Sequence, residues 1–328
     1  GVWHAHACSS GAWFGMGRVL RRLLGSSGAP AHRRRFGRIR LVRAFVTGAT
    51  GTVGREVCRA LIRRGAEVRV GARASSDVPS VLPDVSDVAR LDYEASVVDR
   101  AIFEGVDALF FMTPLIEDQV AVSRKVLSAA LEAGVPHVVR LSSRSAGWDE
   151  QSELRAWHRA IDEEVMRRVP SWAVLRPCSF FQNFVEHQGA AIRQMSSIIL
   201  PQGDGLIPYI DAADIGEAAA ECLLSPEAHA GHTYVLTGGR AYGGKGVAAE
   251  IGRVLGRPIT YIHVEPKQAE AMMRDREMPP WLVDAAMAVF AHAREGGEAA
   301  VDPALGQILG RPATTLSEFV ERYRDAWQ

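Results

Sequence analysis

From residue 43 onward, short apolar or β-branched runs alternate with longer stretches of helical periodicity, and this alternation leaves the chain few ways to fold. The runs fall at Arg43 to Thr47, Glu67 to Gly71, Val88 to Leu91, Ala108 to Met112, His137 to Leu141 and Trp172 to Leu175. Helical patterns begin near Thr52, Ser96, Asp118 and Glu153, the first carrying Val53, Val57, Leu61 and Ile62 at helical spacing. Near-continuous apolar strands separated by helices describe a parallel sheet covered on both faces, which is a doubly wound α/β fold. After about residue 185 the regularity loosens. Asp214 is placed to cap a helix ending at Leu224, His232 to Leu236 reads as a strand returning to the sheet, Gly244 to Leu255 as a helix, and Pro266 to Gln328 as mostly helical. The division expected is a sheet domain over residues 43–185 and a smaller, mostly helical domain over 186–328. The second would cap the carboxyl edge of the sheet, where open α/β sheets bind ligands.

The first strand runs into FVTGATGTVG, with Gly48, Gly51 and Gly54 ahead of an amphipathic helix. Glycines at such a turn allow a tight bend, close approach of backbone to a pyrophosphate, and close helix-to-strand packing. The N–H groups of the following helix then meet the phosphate charge. The spacing differs by one residue from the usual G-x-G-x-x-G, so the strand-turn-helix context carries the reading. Thr50, Thr52 and Val53 belong to the same cradle. At the end of the second strand, Val70-Gly71-Ala72-Arg73-Ala74-Ser75-Ser76 has no carboxylate to accept from a ribose 2′-hydroxyl. Arg73 and Ser75 suit a 2′-phosphate, which favours NADP(H) and leaves NAD(H) open. Arg73 reads equally as one solvated arginine among many. Asp92 and Tyr93 after the third strand are expected near the adenine, and Met112, Thr113 and Pro114 after the fourth under the riboses.

VTGATGTVG, Arg73, LDYEASVVDRAIFEGVDALFF, HVVRLSS, AVLRPCSFFQNF, IPYIDAADIGEAAAECL and GHTYVLTGG together resemble the successive motifs of the NmrA-like branch of atypical short-chain dehydrogenases/reductases. The resemblance covers residues 43–328. LRPCSFFQNF and ILGRPATTLSEFVERYRDAW are most similar to quinone, azo-dye and triphenylmethane reductases and ergot-alkaloid dehydrogenases. It implies a Rossmann domain with a small C-terminal substrate domain and NADP(H) in the cleft. Members of the wider family use a Ser after the fifth strand and a Tyr-x-x-x-Lys on the next helix. Ser142 and Ser143 occupy the serine region, Ser142 as a catalytic candidate and Ser143 beside the cofactor. Tyr-x-x-x-Lys is absent, with Leu154 in the tyrosine slot and His158 in the lysine slot. His158 would bond the nicotinamide ribose, act as a general acid with an ordinary pKa near ~6.5, or be a surface residue. By the same resemblance, Cys178 lies beside the nicotinamide; Ser179, Phe180, Phe181 and Phe184, with Trp148, suggest as a cluster an aromatic substrate pocket, while any one of the aromatic side chains taken singly reads better as core packing.

Composition excludes several classes. Formal net charge is zero and no apolar run approaches the ~20 residues of a membrane span, so neither a nucleic acid nor a membrane is an expected partner. Cys8, Cys58, Cys178 and Cys222 are dispersed, which reads as reduced thiols in a cytoplasm and no metal site. Residues 1–42 are arginine-rich and free of acids. They read as a disordered extension, a transit peptide or a nucleic-acid tail. The function expected is an NADP(H)-dependent oxidoreductase, monomeric or homodimeric, reducing a flat apolar acceptor of quinone, imine, azo or arylmethane type. The missing Tyr-x-x-x-Lys keeps open a non-catalytic redox sensor acting through a protein partner.

Overall fold

The structure, a computed structural model, describes residues 41–328 apart from Ser75 and residues 149–151. The basic extension read over residues 1–42 falls, but for its last two residues, outside that range. So do Cys8 and Ser75.

Strands β1 (Arg43–Thr47), β2 (Glu67–Ala72), β3 (Asp87–Arg90), β4 (Ala108–Phe111), β5 (His137–Leu141), β6 (Ser171–Pro177) and β8 (His232–Leu236) form one sheet in the order β3-β2-β1-β4-β5-β6-β8, every pair parallel. Strands β7 (Ser197–Leu200) and β9 (Thr260–His263) make a separate parallel pair. The helices are α1 (Thr52–Arg63), α2 (Val78–Val81), α3 (Gln119–Glu132), α4 (Glu153–Arg168), α5 (Gln182–Glu186), α6 (Gly189–Met195), α7 (Ala212–Leu224), α8 (Pro226–His229), α9 (Gly244–Leu255), α10 (Pro266–Arg274), α11 (Pro280–Arg294), α12 (Ala304–Leu309) and α13 (Leu316–Arg322).

The sheet is Rossmann-like. Its central strands are buried on both faces, which is why AFVT, ALFF and HVVRL carry no polar alternation. One face packs Val53, Val57 and Leu61 of α1 against Ile215 and Ala219 of α7. The other packs Val126 and Ala130 of α3 against Ile161 and Val165 of α4. A third cluster joins Phe181, Phe184 and Tyr209 to α9, α13 and Trp327. Strand order reverses between β1 and β4, so the crevice of a doubly wound sheet opens beside the glycine turn.

Two expected helix starts move. No helix begins at Ser96: Lys125 of α3 donates to the Tyr93 and Ala95 carbonyls at 3.1 and 2.6 Å, and Asp99 caps only a short 3-10 turn, Arg100–Phe103. The cap of α7 is Asp211, which accepts from the Ala213 N–H at 2.9 Å, so the helix begins three residues before the expected Asp214 could cap it. Asp214 instead takes Arg311 at 2.7 Å and Thr314 at 2.6 and 3.0 Å.

Gly54 shows how little room the first turn has, since a Cβ there would lie 2.1 Å from the Gly48 carbonyl oxygen. Gly54→Ala is expected to destabilise the fold by at least about 1–3 kcal/mol through overpacking against backbone that cannot yield. The shift of the urea midpoint at constant m-value reads it directly.

Candidate active site

Six strand ends, those of β1 to β6, build the site. After β1, Gly48 adopts φ +64°, a left-handed conformation that side chains rarely take. Its missing Cβ would also strike the Met112 sulfur at 2.8 Å. The Gly51 N–H closes the turn on the Gly48 carbonyl at 3.0 Å, and Gly51 is the uncapped N-cap of α1. The first N–H groups of α1 therefore have no side-chain cap from Gly51, as a helix start open to an anion requires. Thr47 fixes the opposite edge, its hydroxyl donating to the Met112 carbonyl at 2.6 Å and accepting from the Met112 N–H at 2.8 Å.

At the adenosine end, Arg73 is exposed; its carbonyl accepts from the Ser76 N–H at 3.0 Å, while its guanidinium makes no ion pair or hydrogen bond among the described residues. The Tyr93 hydroxyl is buried without a hydrogen-bond partner among them, and burial pushes it up to about 12 against the pull of Arg73 and the Gly48 backbone. Asp92 accepts from the Glu94 N–H at 3.0 Å and so orders its own loop. A side-chain-free cradle, an uncapped helix start, an unengaged guanidinium and an orphaned hydroxyl together fit a dinucleotide with a 2′-phosphate.

Past the turn lies a cleft of about 420 Å³. It brings together Thr52, Val53, Met112, Thr113, Ser142, Ser143, His158, Cys178, Ser179 and Phe180 from the expected set, and Leu154 and Trp148 with them. Gly48, Thr50, Gly51, Gly54, Arg73, Asp92, Tyr93 and Pro114 are not among the residues lining that cleft. Phe181 and Phe184 are a correction to the substrate pocket. Both are buried in the third cluster, Phe181 against Phe319 at 5.3 Å and Phe184 against Tyr209 at 4.9 Å. The Phe181 N–H is paired to the Ile210 carbonyl, and residues three apart on a helical turn share a face, so the pair turns away together while Phe180 faces the cleft.

The cleft floor is polar and tightly bonded. Leu154, His158 and Asp162 recur every fourth residue of α4 and so share one face. Asp162 accepts from Ser142 Oγ at 2.8 Å and from Arg176 at 3.0 and 3.1 Å, and its other oxygen lies 3.9 Å from Arg140 Nε. Burial pushes its carboxyl up, opposed by Arg140, Ser142 and Arg176. The buried Arg140 also donates to the Phe111 and Leu141 carbonyls and to His158 Nδ1, the last at 3.2 Å. A guanidinium only donates, so Nδ1 accepts and the His158 proton sits on Nε2. Burial, then Arg140 and Arg176, lower His158 to about 3.

Two catalytic expectations change accordingly. His158 is a neutral hydrogen-bond donor through Nε2 and not an imidazolium acid at neutral pH. The hydroxyl hydrogen of Ser142 is committed to Asp162, which leaves its oxygen as an acceptor toward the cleft. Cys178 is a wall residue: its thiol donates to the Pro208 carbonyl at 2.8 Å, and burial pushes it up to about 12.

Sequence reasoning missed Arg140, Arg144, Asn183, Val289 and Glu298, all of which line the cleft. A lone arginine within the apolar run HVVRL was a usable signal for Arg140. Val289 and Glu298 fall in the stretch between GHTYVLTGG and ILGRPATTLSEFVERYRDAW, which carries no motif of its own, and left none.

The family model for the NmrA-like family matches residues 43–320. The NAD(P)H azoreductase of Xenophilus azovorans is 31% identical over 283 residues, covering 86% of this chain and 98% of that protein. The structure of an NADPH-dependent quinone oxidoreductase from Escherichia coli complexed with NADPH superposes with a TM-score of 0.76 at 24% identity, over 86% of this chain and 100% of that one. Triphenylmethane reductase from Citrobacter complexed with NADP(H) gives 0.74 at 21% identity, over 86% and 99%.

With a folded-state value below the ordinary ~6.5, His158 favours the unfolded chain once protons bind. Its contribution to stability is complete above pH 6.5 and is lost as pH falls toward 3. Between pH 7.5 and 4.5 the urea midpoint of the wild type is expected to drop more than that of His158→Asn. By family match and by extended identity with a relative, the chain belongs to the NmrA-like family.

Proposed function

We propose that the chain is an NADP(H)-dependent oxidoreductase that reduces flat, apolar acceptors of quinone, imine, azo or arylmethane type. The observation that carries this reading is the continuity of the glycine cradle with a cleft whose floor is hydrogen-bonded and whose walls are apolar. The names of the relatives, an azoreductase, a quinone oxidoreductase and a triphenylmethane reductase, support the same chemistry.

When bound, the dinucleotide supplies a hydride. The chain's own residues do the rest. Gly48, Gly51 and the start of α1 seat the diphosphate, and Arg73 holds the 2′-phosphate. Met112 and Thr113 line the path toward the cleft, where Ser142 presents an acceptor oxygen and His158 an Nε2–H. A neutral imidazole so held orients a ribose hydroxyl or an acceptor oxygen without moving a proton at pH 7. Trp148 is clamped between the Arg155 guanidinium at 4.4 Å and the His292 ring at 4.0 Å, giving a rigid flat wall with Phe180, Leu154 and Val289. Such a wall excludes water and favours planar ligands.

Titration with NADPH and NADH, followed by turnover against a panel of quinones, azo dyes and triarylmethane dyes, tests the reading. Arg73→Ala removes one exposed charge-assisted contact and is expected to lower the preference for NADPH over NADH about tenfold. Tight binding of NADPH with no oxidation by any acceptor would favour the sensor reading instead.

A further inference from the structure

Hydride transfer to a quinone or an azo bond leaves the product short of a proton that neither His158 nor Ser142 is placed to give. We propose that Glu298, a buried carboxyl in the cleft wall with one unpartnered oxygen, is the acid that delivers it. This rests on the oxidoreductase reading.

Glu298 lies in the loop between α11 and α12, has 1% of its surface exposed, and lines the cleft that also holds His158, Cys178 and Phe180. Arg144 fixes it from the turn after β5, donating to the Glu298 backbone carbonyl at 3.2 Å and lying 3.5 Å from Oε2. Oε1 has no hydrogen-bond partner among the described residues. An unpaired buried carboxyl oxygen is costly unless the group is protonated or meets a ligand. Burial pushes the carboxyl up to about 7, with Arg144 and then Arg155 opposing. The other titratable groups facing it are the Cys178 thiol, the Tyr209 hydroxyl, both raised by burial, and the His292 ring that abuts Gly297. A general acid works best with a pKa near the working pH, which this site supplies.

The step balances simply. Hydride brings two electrons and one hydrogen to the acceptor, leaving a lone pair and negative charge on a quinone oxygen or an azo nitrogen. That lone pair takes the Glu298 proton as the carboxyl O–H bond breaks. Arg144 and Arg155 balance the carboxylate that remains, and water reprotonates it. A cationic triarylmethyl dye differs, because hydride alone neutralises its central carbon and no proton is required.

Wild type and Glu298→Gln are compared with a quinone, an azo dye and a cationic triarylmethane dye across pH 5.5 to 9, kcat and KM read separately. In the wild type, kcat for the quinone is expected to fall as pH rises through about 7, a limb absent with the cationic dye. In Glu298→Gln, kcat for the quinone is expected to drop roughly 10²–10⁴-fold relative to the dye, with little change in KM and no limb. Isotope-edited infrared spectra of protein carrying labelled glutamate should show a protonated carboxyl that titrates near pH 7 and is missing from the variant. A carboxyl already ionised at pH 5.5, or an unmoved ratio of quinone to dye turnover, overturns the role of Glu298 alone. A wild type that oxidises NADPH with none of the three overturns the functional reading and this role with it.

Discussion

A guanidinium buried in the middle of a parallel sheet sets the terms for everything at the carboxyl edge. Arg140 stands on β5 among valines and leucine, and its charge is offset there by Asp162 approaching from α4 to 3.9 Å and by hydrogen bonds to the Phe111 and Leu141 carbonyls and to His158. Removing one partner of such a pair strands the other as an uncompensated buried charge, typically at about 3–5 kcal/mol. The pair therefore fixes the distance between β5 and α4, and with it the positions of Ser142 and His158. It also decides their chemistry. Arg140 obliges His158 to accept at Nδ1, and Asp162 claims the Ser142 hydrogen, so two residues that look like proton donors on paper become a neutral donor and an acceptor.

The far half of the chain is tied to the sheet by a second set of carboxylates. Asp211 and Asp214, both fully buried at the start of α7, bind Arg322 and Arg311 from the C-terminal segment at 2.7 Å each. Gln182 completes the joint, donating to Asp211 at 2.8 Å and accepting from the Ala212 N–H at 3.1 Å. These contacts link the loop after β6, the start of α7 and α13, between which the chain runs out through α9 to α12. The segment carrying Val289 and Glu298 is thereby returned to the cleft, which explains how residues so distant in sequence complete one wall.

Much of the sheet was legible because buried parallel strands are nearly pure apolar runs, and β1, β5 and β8 fall where the pattern puts them. The glycine turn was legible because its spacing has a backbone cause, seen in the +64° of Gly48 and the absent space at Gly54. What the pattern could not carry were choices made by tertiary partners. Lys125 holds the carbonyls of Tyr93 and Ala95 just ahead of Ser96, where periodicity suggested a helix start and none forms. Asp211 and Asp214 are both plausible caps; Asp211 caps while also holding Arg322, and Arg311 and Thr314 take both oxygens of Asp214. Phe180 and Phe181 are indistinguishable in sequence and face opposite ways. The strands β7 and β9, four residues each and 60 apart, have no local signal that they pair.

Two buried carboxyls bordering one cleft show how partners turn the same desolvation to different ends. Burial pushes up both Asp162 and Glu298. Asp162 meets Ser142 and two guanidiniums within hydrogen-bond or ion-pair reach, and each of those contacts favours its ionised form. Glu298 meets one guanidinium at 3.5 Å through a single oxygen and is left near pH 7. The first is spent on architecture, since protonating it would release Arg140 and Ser142 together. The second can gain or lose a proton without dissolving the network beneath it. Environments that separate two carboxyls in this way also separate their roles, so the absence of a tyrosine from the α4 slot occupied by Leu154 leaves the cleft with an acid drawn from a different part of the fold.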